Sequence, residues 1–224
     1  MTRLNVIVFG LVGFCALAAE PRFDFKVRED FFAGFTGNGP ALERAMKTCE
    51  EVLAKNPTHA EALVWHGGGL FFMSGRLFQK GEAAKGMELY NRGIKEMDEA
   101  VAIAPENVGV LIPRGATLLT GSRFMPPGDQ TRKLLTQALA DYEKVYDLQK
   151  SYFDTLSGHS RGELLFGLAE GYLRASNEAK AREYFEKLAA SGADIGHYDE
   201  AKAWLETGKL DPKRVACAGC HAKS

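Results

Sequence analysis

This chain of 224 residues has no surplus of basic residues, no disulfide-sized set of cysteines and little strand-like alternation, and apolar runs of membrane length are missing too. Each absence excludes something. Lys and Arg number 28 against 29 Asp and Glu, a formal net charge of −1, so charge alone draws the chain neither to nucleic acid nor to anionic membranes. Beyond the N-terminal segment, no apolar stretch approaches the roughly 20 residues of a membrane helix, so no stable membrane insertion is expected. Four cysteines, two of them only three positions apart, do not make the framework of a stapled small fold. β-Branched residues seldom alternate with polar ones, which argues against sheets. Gly67-Gly68-Gly69 is not part of a phosphate loop, and neither a nucleophile elbow nor H-E-x-x-H occurs, so no enzymatic activity is expected.

The N-terminus carries Arg3, an apolar run from Val6 to Ala18, and the small-residue segment Ala16-Leu17-Ala18. This is the layout of a secretory signal peptide over residues 1–19, cleaved before Ala19 or Glu20 and removing Cys15. A lipoprotein signal would acylate Cys15, but Phe14 stands where such signals place a small residue. The mature chain is therefore expected to be periplasmic or secreted from a bacterium. Residues 20–39 form an arm with Phe23, Phe25, Phe31, Phe32 and Phe35, too apolar for a linker and expected to pack over the first hairpin.

From Pro40 the chain is rich in Ala, Leu, Glu and Lys, with apolar residues at three- and four-residue spacing, which predicts helices. Leu165, Leu168, Ala169 and Tyr172 are followed by Ala181 and Phe185, a series that resembles the tetratricopeptide repeat pattern. Its second half reappears as Ala45, Cys49 and Pro57, as Met97 and Pro105, and as Ala138 and Tyr142; its first half as Val64, Gly67, Gly68 and Phe71 and as Leu111, Arg114, Gly115 and Leu118. The resemblance implies an all-α, TPR-like stack of about four helical hairpins, an α-solenoid, over residues 40–207. Small residues would let the two helices of each hairpin approach closely. Both middle repeats are too long for the pattern. Arg76 to Tyr90 reads as a helical insertion that lengthens a second helix, and Gly121 to Gln130 contains Pro126-Pro127, which requires a loop. Tyr198 to Glu206 predicts one more helix, ended by Gly208 and Pro212.

The tail, residues 208–224, holds Cys217-Ala218-Gly219-Cys220-His221. C-x-x-C-H is the haem attachment signature of c-type cytochromes. Two thiols on one helical turn can each form a thioether with a vinyl group of one haem, and the adjacent imidazole reaches the iron. The resemblance implies one covalent haem c per chain, held by Cys217 and Cys220 with His221 as the metal ligand, and electron transfer with a redox partner docked on the repeats. Only Ala222, Lys223 and Ser224 follow the motif, so a regular cytochrome c domain is not expected. His197, His159 and Met125 are candidates for a distal ligand. The alternatives for the close cysteines are a disulfide or thiol pair, a zinc site completed from elsewhere, or a tail without a cofactor.

Two further readings belong to other classes: a periplasmic scaffold whose groove binds a peptide or protein, and a solute-binding component of a transport system. His59 and His66, seven residues apart without carboxylates nearby in sequence, read as ordinary helix residues. Trp65, Phe71, Phe72 and Met73 read as packing between hairpins.

Overall fold

A computed structural model describes residues 22–211. Residues 1–19, where a signal peptide is expected, and the Cys217–His221 motif lie outside the described residues. Among those described, the chain is all-helical, with α1 Asp24–Phe35, α2 Gly39–Lys55, α3 Ala60–Gln79, α4 Ala83–Ile103, α5 Val108–Gly121, α6 Asp129–Gln149, α7 Gly158–Arg174, α8 Glu178–Ala190 and α9 Tyr198–Thr207.

Side chains that accept from first-turn N–H groups start several of these helices: Asn38, Asn107, Ser157 and Asn177 cap α2, α5, α7 and α8, and the His59 ring nitrogen caps α3. Such caps satisfy donors that a helix start otherwise leaves without partners. At the other end of α9, Gly208 takes φ +69°, and its N–H bonds the Trp204 carbonyl at 2.7 Å. This closes the helix where Gly208 was expected to.

Short connections bring consecutive helices together as the pairs α1/α2, α3/α4, α5/α6 and α7/α8, with α9 laid against α8. α3 also packs on α2 and α5, so neighbouring pairs share one continuous core. The repeat positions read from the sequence point into it: Ala45, Cys49, Met97, Leu111, Leu118, Ala138, Leu165, Leu168, Ala169, Ala181 and Phe185 are buried. At the C-terminal end Trp204 of α9 stacks on Phe185 with ring centroids 4.5 Å apart.

The Phe-rich arm is helical rather than merely apolar. As α1 it pairs with α2 and touches α3, where Phe31 stacks on Trp65 at 5.2 Å and Phe35 meets Phe72 at 4.6 Å. The insertion at Arg76 is divided between two helices rather than lengthening one. α3 runs to Gln79 and α4 begins at Ala83, because Gly81 at φ +79° makes the turn between them. The Pro126-Pro127 segment is a loop, entered through a 3₁₀ turn at Ser122–Phe124.

Gly67 shows how small residues set the distance between paired helices. A Cβ built there would stand 2.7 Å from the Gly93 carbonyl oxygen, and one at Gly93 would stand 2.6 Å from the Gly67 carbonyl. Backbone meets backbone, so neither side can yield as a flexible side chain would. Gly75, on the same helix, has open space around it. Gly67→Ala should therefore destabilise the protein by about 1–3 kcal/mol in urea unfolding, whereas Gly75→Ala should stabilise it by about 0.5–1 kcal/mol through helix propensity and a stiffer unfolded chain.

Candidate functional site

Cys217, Cys220 and His221 lie outside the described residues, so the structure contributes the body that carries them and the fate of the other candidates. His197 is committed to the fold. It adopts the left-handed conformation at φ +64°, Nε2 lies 3.0 Å from a Glu163 carboxylate oxygen, and the ring stacks on Phe166 at 4.2 Å. Its side chain is almost wholly buried, so serving as a distal ligand would require dismantling these contacts. His159 is exposed in the first turn of α7. Met125 is half-buried and lines an open cavity of about 270 Å³ with Phe78, Met87, Tyr90 and Gln130. Gln130 bonds the Tyr90 hydroxyl across this cavity, and Phe78, Met87 and nearby Phe124 are exposed.

His66 meets carboxylates brought to it by two neighbouring helices. Glu96 of α4 accepts from Nδ1 at 2.5 Å, Glu50 of α2 lies 3.6 Å from Nε2, and Arg92 donates to the other Glu96 oxygen at 2.8 Å. His59 is a cap rather than a helix residue, and it lies against Phe23 at 5.1 Å.

Two more charged clusters cross helix boundaries. Arg114 of α5 holds Asp141 of α6 with two hydrogen bonds of 2.7 Å and reaches Asp98 of α4 at 2.9 Å. Arg123 holds Glu170 of α7 in the same forked manner, and Arg174 donates to the Leu119 carbonyl at 2.8 Å. Bidentate geometry of this kind suits Arg and fixes orientation. Among the described residues no three His, Cys, Asp or Glu side chains converge as a metal site. These clusters join helices.

No family model matches this chain, and no curated protein matches it.

A second cavity, about 350 Å³ and open to solvent, lies where α6, α7 and α8 meet the turn at Phe153–Thr155. Tyr146 and Phe153 wall it with ring centroids 5.3 Å apart, buried Leu165 forms part of its lining, and Arg161, Lys187 and Asp154 supply charge. Neither Tyr146 nor Arg161 stood out in the sequence, because nothing local marks either and four separate elements build the cavity.

Burial of Cys49 pushes its thiol far above the ordinary thiol value, with Glu50 and Glu96 adding to the effect, so it is a poor nucleophile. For Glu96, burial acts to raise the carboxyl, but the hydrogen bond and charge of His66, then those of Arg92, outweigh it and hold the group below the ordinary 4.5. Because the folded value is depressed, this stabilisation is present above about pH 4.5 and is lost as pH falls through the folded value. Glu96→Gln should cost about 1–2 kcal/mol in urea unfolding at neutral pH, and the gap to wild type should close on acidification below that value.

Proposed function

We propose that this chain is an exported bacterial protein in which a TPR-like α-solenoid carries one haem c and docks a redox partner for electron transfer. The observation that carries the reading is the Cys217-Ala218-Gly219-Cys220-His221 motif. Cys217 and Cys220 would each hold one vinyl group of the haem as a thioether, the S–H adding across the double bond with its hydrogen on the neighbouring carbon, and the His221 imidazole would bind the iron. The group so held would supply one-electron exchange with a partner.

Four observations support the setting. The first 19 residues have the layout of an export signal, and c-type attachment takes place outside the bacterial cytoplasm. No described helix is long and apolar enough to cross a membrane. The paired helices, with repeat positions buried, accord with a TPR-like stack that presents an extended surface to a partner. Among the distal-ligand candidates, Met125 is the one that lines a cavity with apolar walls, and a thioether suits haem iron.

A cofactor-free scaffold is the second reading, favoured by the exposed Phe78, Met87 and Phe124 side chains around that cavity. Such apolar groups at a surface are apt to meet a protein partner. Production in the periplasm of a host with haem-attachment machinery separates the two. The haem reading expects a band that stains for covalent haem on a denaturing gel, lost in the Cys217→Ala/Cys220→Ala variant. Mature protein from its own host at its unmodified polypeptide mass would leave the scaffold.

A further inference from the structure

The cavity where α6, α7 and α8 meet the Phe153–Thr155 turn is lined by a guanidinium with a buried nitrogen that no described residue satisfies. Arg161 projects from the first turns of α7, and its Nε is buried with no hydrogen-bond partner among the described residues. Elsewhere in this protein, guanidinium groups in comparable surroundings grip carboxylates: Arg114 holds Asp141 and Arg123 holds Glu170. A guanidinium stays charged at any ordinary pH, and a buried donor without an acceptor is costly. Lys187 also lines the cavity, but it already donates to Glu183 at 2.7 Å and sits over the rings of Tyr146 and Tyr184. Arg161 is thus the cation with binding capacity to spare.

We propose that this cavity binds a small organic monocarboxylate with a planar apolar body, its carboxylate taken by Arg161 and its body held between Tyr146, Phe153 and Leu165. The volume, about 350 Å³, lies at the small end of the range for ligand pockets, roughly 300–1,000 Å³. Tyr146 and Phe153 meet at 64°, which leaves an aromatic ring of the ligand both a face and an edge to pack against. Asp154, the one carboxylate among the lining residues, is exposed, and it disfavours a second negative charge on the ligand. One carboxylate with an apolar body fits this balance better than a dicarboxylate or a phosphate.

Nothing in this assignment depends on the haem reading, and the test keeps the two apart. Benzoate is titrated into the mature full-length protein by isothermal calorimetry, with benzyl alcohol as the neutral counterpart. Saturable benzoate binding is expected, with benzyl alcohol at least tenfold weaker. Arg161→Gln, checked for folding by circular dichroism, should weaken benzoate at least tenfold. Phe153→Ala lies in the turn outside α7, and it should weaken benzoate severalfold even if Arg161→Gln does not fold. Cys217→Ala/Cys220→Ala should bind benzoate as wild type does, whatever the gel shows about haem. Absence of saturable benzoate binding to wild type, equal affinity for benzyl alcohol, unchanged affinity in folded Arg161→Gln, or loss of binding with the two cysteines would overturn the assignment.

Discussion

Close approach of paired helices is the constraint on which the rest of this structure depends. With no sheet among the described residues to cover them, the apolar faces of the helices can be buried only against one another, and how closely two helices come is set by the bulk at their crossing. Gly67 against Gly93 brings backbone onto backbone in the longest pair, and Gly115 brings α5 against Tyr142 and Ala138 of α6. Once those distances are set, the alanines and leucines at repeat positions fill the interior between the helices.

The charged clusters then act as fasteners between pairs that apolar packing alone would let slide. Glu50, His66 and Glu96 connect α2, α3 and α4; Asp98, Arg114 and Asp141 connect α4, α5 and α6; Glu163 and His197 tie the connection before α9 to α7. Buried ion pairs add little net stability, because desolvating the charges opposes their attraction, but their geometry is specific. Here each cluster joins side chains from different elements, so it selects one register of helix against helix. Arg161 differs: beside an aromatic-walled cavity, its buried Nε has no hydrogen-bond partner among the described residues.

Much of the helical frame was legible in advance. Ala181 and Phe185, Leu165 through Tyr172, Ala45 with Cys49, and Leu111 with Leu118 recur at spacings that put them on one helix face, and they are buried as that spacing requires. The Pro126-Pro127 loop and the Gly208 stop follow from the same local chemistry. Three features did not. The arm from Asp24 to Phe35 forms a helix on the strength of its packing against α2 and α3, the division of the insertion at Gly81 depends on a left-handed turn, and His66 acquires carboxylates from two other helices.

By itself, the sequence determined the helical class, the faces that become core, the stop at Gly208, and the placement of a thiol–thiol–imidazole triplet near the C-terminus, because each depends on residues within a turn or two of one another. The tertiary structure alone decided that His197 is locked against Glu163 and Phe166, that Glu50 and Glu96 converge on His66, and that Tyr146, Phe153 and Arg161 share a cavity. Those are meetings of side chains from separate helices, governed by crossing distance and register, which no local periodicity encodes.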